Sequence, residues 1–155
     1  MIDDEIKIIS IAVILAMGAI TAYPLLSTLV IIEPHSEIGV LGPKGIIGDY
    51  PTNVKTGEPI NLFIYVGNNE GRAQYYRIIV KLVPDGSNNT SVANAEIIDT
   101  FDLFLMGGEN KEISINFSIS QPKNNLQFIF ELYTYNPEIH SFAYRNRAKL
   151  WLSVT

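Results

Sequence analysis

The chain has 155 residues, 47% of them apolar and only 17% charged, with a net charge of −5. That length suits one domain with an appendage, and an acidic chain without any Lys/Arg run excludes a nucleic-acid binder, which needs a basic stripe against phosphate. Cysteine is absent, which removes disulfides, thiolate metal sites and cysteine nucleophiles together.

The apolar excess lies at the N-terminus. No charged residue occurs from Ile8 to Ile32, a run bounded by Lys7 and Glu33. As a helix this run rises roughly 37 Å at about 1.5 Å per residue, enough to cross a hydrocarbon core of about 30 Å. The segment is therefore read as a single transmembrane helix over 8–32 behind a short cytoplasmic tail, 1–7, with a kink expected at Pro24. A cleaved signal peptide would carry a basic n-region and a shorter apolar stretch, whereas Asp3, Asp4 and Glu5 precede a lone Lys7 here. A buried core helix would show polar residues at helical spacing. A pilin or flagellin precursor would place a basic and a small residue just before the helix, and Lys7-Ile8 does not.

Lysine and arginine near the helix ends are too few to orient it by charge alone. Asn88, Asn89 and Asn116 each begin an N-glycosylation acceptor triplet, and such triplets belong to surfaces outside the cytoplasm. The tail also leaves no cytoplasmic domain to retain. The expectation is a cell-membrane protein, single-pass, with residues 33–155 on the extracytoplasmic side.

After the helix the apolar period becomes two. Ile60, Leu62, Ile64 and Val66 form one alternating set, and Tyr76, Ile78, Val80 and Leu82 a second. Ile113, Ile115, Phe117 and Ile119 form a third; Leu126, Phe128, Phe130 and Leu132 a fourth; Leu150, Leu152 and Val154 end the chain. Such alternation marks strands with one buried and one solvated face, and it puts Asn116 on the wet face. Turn-rich segments separate the sets, among them Gly67-Asn68-Asn69-Glu70-Gly71 and Gly107-Gly108-Glu109-Asn110. With a strand near Glu37–Leu41 and a less regular one over 95–105, the count is about seven. That pattern suggests an all-β, immunoglobulin-like antiparallel sandwich. Asp99 and Asp102 interrupt the 95–105 pattern, so a bulge or a strand switching sheets is expected there.

Val54 to Ile60, with its Gly57-Glu58-Pro59, and the following Gly67 to Gly71 resemble the opening of cell-adhesion-related immunoglobulin-like domains of bacteria and archaea. Leu41-Gly42-Pro43-Lys44-Gly45, followed by Asp49-Tyr50-Pro51-Thr52-Asn53, is similar to a signature of the archaeal membrane-protein family called domain of unknown function 1616. Gly67 to Arg72, Tyr75-Tyr76 and the closing Phe142 to Val154 resemble further parts of that family. The resemblance covers roughly Pro24 to Thr155. It implies an archaeal source and a membrane-attached β domain, and it implies no biochemical activity. Family members often carry several membrane helices before the β domain; here there is one.

The residues suggest no catalytic machinery. His35 and His140 lie on separate segments without a second ligand at metal spacing. Neither a nucleophile elbow nor a phosphate-binding loop occurs. Asp99 and Asp102, with or without Glu96, lack the spacing of an acid/base pair or a calcium loop. No enzyme, cofactor or metal site is expected. For binding, Tyr133, Tyr135, Tyr144, Arg145, Arg147 and Trp151 are read as a candidate interaction surface, because aromatics with arginine make interface hot spots; cross-strand stiffening of a sheet is the competing reading. Leu103-Phe104-Leu105-Met106 is a second apolar candidate, with core burial favoured. The functional expectation is a membrane-anchored interaction or structural module of the archaeal cell envelope, with the lipid bilayer and a protein or glycan as partners. The alternatives are an accessory single-pass subunit of a larger membrane complex and a pilin-like filament subunit.

Overall fold

The computed structural model describes residues 2–27, 33–83 and 95–155. Contacts divide the chain into two compact units, Met1–Glu33 and Pro34–Thr155. The first unit holds one helix, α1 (Ile2–Ser27). It begins at Ile2, so the expected tail is helical from its second residue, and it continues through Pro24. Two of its hydroxyl side chains turn onto their own backbone: Ser10 Oγ donates to the Ile6 carbonyl at 2.8 Å and Thr21 Oγ1 to that of Met17 at 3.0 Å. Among the described residues no helix is long and apolar enough to cross a membrane.

Among the described residues the second unit has eight strands: β1 (His35–Leu41), β2 (Asn53–Val54), β3 (Ile60–Asn69), β4 (Gln74–Val83), β5 (Glu96–Leu105), β6 (Asn110–Phe117), β7 (Lys123–Asn136) and β8 (Ser141–Val154). They form a three-stranded sheet, β1-β3-β6, and a five-stranded sheet, β2-β8-β7-β4-β5. All pairings are antiparallel except that of β2 with β8. The strand beyond the expected seven is the two-residue β2, too short for alternation to reveal.

Alternation assigns the core. Leu62, Ile64 and Val66 from β3 meet Ile78, Leu126, Phe128, Phe130 and Leu132 from the larger sheet, all fully enclosed. Each such side chain contributes roughly 1.5–3 kcal/mol by leaving water, and no disulfide reinforces this interior. The irregular 95–105 segment is one strand with a bulge. Pairing shifts between Val80–Asp99 and Lys81–Ile97, so Ile98 is the extra residue and β5 stays in a single sheet.

The Leu41 to Asn53 segment carries the chain from one sheet to the other. Gly42 N–H donates to the Ile46 carbonyl at 2.9 Å, Lys44 pairs with Asp49 at 2.8 Å, and the Tyr50 hydroxyl donates to the Val40 carbonyl at 2.7 Å. A Cβ on Gly42 would collide with the Gly48 carbonyl oxygen, which accounts for glycine at that position. The segment has an architectural role.

At the opposite pole, where β1 begins, Asn68 ties the sheets together. Its side chain is 1% exposed, and its Nδ2 donates to the carbonyls of Arg72 (2.9 Å), Leu105 (3.0 Å) and Met106 (3.0 Å). Its Oδ1 accepts from Glu70 N–H at 3.1 Å, and its backbone bonds Glu109 and Gly108. The two glycine-rich turns read separately in the sequence are thus one clamp. Asn68→Ala is expected to cost about 2–3 kcal/mol in chemical denaturation, because buried carbonyls lose their donor; Asn61→Ala, on an exposed face, is expected to cost about 0.5 kcal/mol or less.

Candidate functional site: the outer face of the five-stranded sheet

The residues of β4 and β7 that alternate with the core set point away from the sandwich. Register brings their aromatics into one row. Phe142 pairs with Tyr135, and Tyr75 pairs with Phe104; the Tyr75 and Tyr135 rings bridge the two pairs at 6.4 Å. Tyr75–Phe142 and Tyr135–Phe142 centroids lie at 5.6 and 5.5 Å, within the range in which rings attract edge to face. Phe104 is 62% exposed at one end of the row.

A second row runs beside it. Tyr144 pairs with Tyr133, their rings edge-on at 5.8 Å, and Arg77 pairs with Asp102. The Arg77 guanidinium grips Asp102 with two hydrogen bonds of 2.7 Å and lies 4.2 Å above the Phe142 ring. The Tyr75 hydroxyl adds a 3.1 Å bond to the same carboxylate. Arg77's hydrogen bonds hold the Asp102 carboxyl below its usual range, and Asp102 in turn raises the Tyr75 hydroxyl.

Further along the face is a buried ion pair. Lys81 Nζ lies 2.8 Å from Glu131 Oε2, with side chains only 15% and 6% exposed. The Tyr133 hydroxyl donates to that same oxygen at 2.7 Å. Burial first, then this bond to Glu131, pushes the Tyr133 hydroxyl up to about 12.

The residues expected to form the surface do not all meet. Tyr133, Tyr135 and Tyr144 belong to it. Arg145 does not lie on that face: pairing shifts between Leu132–Asn146 and Tyr133–Tyr144, which makes Arg145 a bulge residue. Its Nε donates to Thr134 Oγ1 at 2.7 Å on the core-facing side. Trp151 shares the outer face but pairs with Gln127, six residues from Tyr133 along β7, or roughly 20 Å at about 3.3 Å per residue. Arg147, opposite Glu131, lies between the two. The sequence reading missed Tyr75, Arg77 and Phe142 as surface residues, and it named Phe104 only within the separate Leu103–Met106 patch. The outward phase of β4 contained the first two, but only the register places all four side by side.

The Leu103–Met106 run divides. Leu105 is buried and Leu103 packs on the core, while Phe104 and Met106 are exposed. Asn116 is exposed and its Nδ2 donates to Asn61 Oδ1 at 2.6 Å; Asn88 and Asn89 lie outside the described residues. Asp99 and Asp102 sit on opposite faces of β5. Among the described residues no three His, Asp or Glu side chains gather as a metal would require.

The family model described as "Domain of unknown function (DUF1616)" matches residues 32–153. The chain belongs to the DUF1616 family. No curated protein matches its sequence. The fold of this DUF1616 domain is similar to the CARDB domain of a Pyrococcus furiosus protein crystallised with di-metal ions: TM-score 0.53 at 15% identity, covering 80% of this chain and 90% of that one. The solution structure of that CARDB domain gives 0.53 at 14%, covering 79% and 95%. A mutant β-glucosidase from Listeria innocua, in complex with laminaribiose, reaches 0.51 at 14%, over 79% of this chain but 16% of the enzyme. These likenesses establish a CARDB-type, immunoglobulin-like sandwich for the DUF1616 domain.

Two outcomes follow from the ion pair. Lys81→Met leaves Glu131 buried without its cation and is expected to cost about 3 kcal/mol, whereas Lys81→Met with Glu131→Leu restores most of that in the same denaturation assay. Tyr133 ionises more easily unfolded, near 10, than folded, near 12. Its contribution to stability is therefore complete below pH 10 and lost as pH rises towards 12. Tyrosinate absorbance of the folded chain is expected to show a late step that Tyr133→Phe removes.

Proposed function

We propose that this chain is a membrane-anchored, extracytoplasmic interaction module of the cell envelope, which presents the outer face of its five-stranded sheet to a partner and catalyses no reaction. The observation that carries the interaction reading is the aromatic row Phe142–Tyr135–Tyr75–Phe104. Aromatics braced by an arginine present large, rigid contact area that loses little entropy on binding. Among the described residues of the second unit, no other strand lies over them.

Support for the anchor comes from the uncharged run Ile8–Ile32. Its described apolar side chains are exposed, Leu15 at 68% and Ile20 at 72% for example, and an apolar surface of that extent calls for lipid or protein cover. An archaeal source and glycosylation at Asn88, Asn89 or Asn116 belong to the same reading.

Two experiments test it. Alkaline carbonate treatment of expressing cells is expected to leave the full chain in the membrane pellet; release into the supernatant rejects the anchor. A photo-crosslinking residue at Phe104 or Tyr144 in native membranes is expected to capture one defined partner that the same probe at Asn61 does not. Equal capture from the two sheets, or none from either, rejects the interaction face.

A further inference from the structure

At the pole where Asn68 closes the sandwich, the aromatic row ends in a cavity of about 440 Å³. Tyr75, Phe104 and Tyr135 form its apolar wall, and Arg72, Gln74, Glu138 and Arg145 supply its polar groups. Gln74 is 6% exposed, and its Nε2 is the one buried side-chain donor among the described residues that has no hydrogen-bond partner. A buried amide left in that state destabilises the fold, because its lost hydration is not replaced. Such groups are rare enough in folded proteins that each calls for an explanation. A larger cavity of about 710 Å³ at the opposite pole, lined by Val40, Leu41, Ile46 and Ile47, has no orphaned polar atom.

The cations fit the same explanation. Neither Arg72 nor Arg145 forms an ion pair among the described residues. Arg145 reaches this cavity because it is the extra residue of the β8 bulge, a device that re-aims a side chain. Its bond to Thr134 Oγ1 employs only Nε, leaving the terminal nitrogens as a donor pair.

We propose that this cavity binds the carboxylate-bearing unit of an acidic saccharide. The volume suits one sugar unit, within the range of about 300–1,000 Å³ usual for ligand sites. The guanidinia match a carboxylate in the bidentate geometry that arginine favours. The tyrosine and phenylalanine rings offer flat apolar faces to the C–H face of a pyranose. Glu138 accepts from a hydroxyl, and the Gln74 amide donates to a ring or hydroxyl oxygen. A polyphosphate carries more charge than two arginines match and makes no use of the apolar ring faces. A purely apolar ligand leaves Gln74 and both arginines unsatisfied. The assignment rests on the outer face being the recognition surface and names the chemistry of its partner.

The test is calorimetric titration of the full chain in detergent with oligogalacturonate, with neutral galacto-oligosaccharide as the control. The acid is expected to bind at least about tenfold more tightly, a difference of about 1.4 kcal/mol. Arg72→Gln and Arg145→Gln are each expected to weaken it by about tenfold or more. Gln74→Leu is expected to abolish binding while raising the thermal midpoint of the ligand-free chain, because the orphaned donor is gone; Gln74→Met serves as a second variant should leucine fit poorly. Equal binding of acid and neutral sugars, no binding of either, or a lowered midpoint in both Gln74 variants overturns the proposal. Should no saccharide bind while Phe104 still crosslinks to a partner, this assignment alone fails; should crosslinking fail as well, the interaction reading falls with it.

Discussion

One side-chain amide, that of Asn68, holds together the pole on which the candidate site depends. Its hydrogen bonds end on the carbonyls of Arg72, Leu105 and Met106, which lie within two residues of Gln74 or Phe104. The clamp therefore sets both the closure of the two sheets and the spacing of the cavity walls. Close approach is part of it. A Cβ on Gly107 would come within 2.8 Å of the Gly71 backbone, so the two turns meet backbone to backbone, as only glycine permits. A polar group buried this deeply is worth keeping only when fully bonded, and Asn68 is. Gln74, a few residues away, is not.

The five-stranded sheet shows how one alternation serves two purposes. Its inner phase is spent on the core, from Tyr76 to Val154. Its outer phase is divided along the strands: aromatics near the Asn68 pole, the Lys81–Glu131–Tyr133 group in the middle, and Trp151 beyond. The buried ion pair fixes the middle of the face through short polar bonds. The aromatic end is left with apolar area and a single braced arginine. Rigid support beneath and uncovered rings above is the arrangement expected of a preorganised contact surface.

Much of this was legible in the residues. The five alternating sets gave the core faces of β3, β4, β6, β7 and β8, because a period of two is a local property of each strand. The disturbance at Asp99 and Asp102 marked the β5 bulge, although the extra residue is Ile98. The candidate surface was legible only in part. A bulge cannot be seen in β8 from its own sequence, since Arg145 alternates smoothly with its neighbours; the pairing with β7 turns it to the other side. Trp151, seven residues on and so of opposite phase, reaches the face of Tyr144 only through that bulge, and it lies far along the strand. Tyr75, Arg77, Phe104 and Phe142 join the surface only through register between strands remote in sequence. The Leu41 to Asn53 signature, the most distinctive stretch of the chain, turned out to be a sheet-crossing loop.

The central claim is that the aromatic end of the five-stranded sheet is covered by another molecule where the protein works. Hydroxyl-radical footprinting of the chain in its own membranes, set against the purified chain in detergent, measures this residue by residue. The account requires Tyr75, Phe104, Tyr135 and Tyr144 to be oxidised less in the native membrane, with Ile46 and Ile47 at the far pole unchanged. Equal oxidation of the aromatic row in both preparations would contradict it.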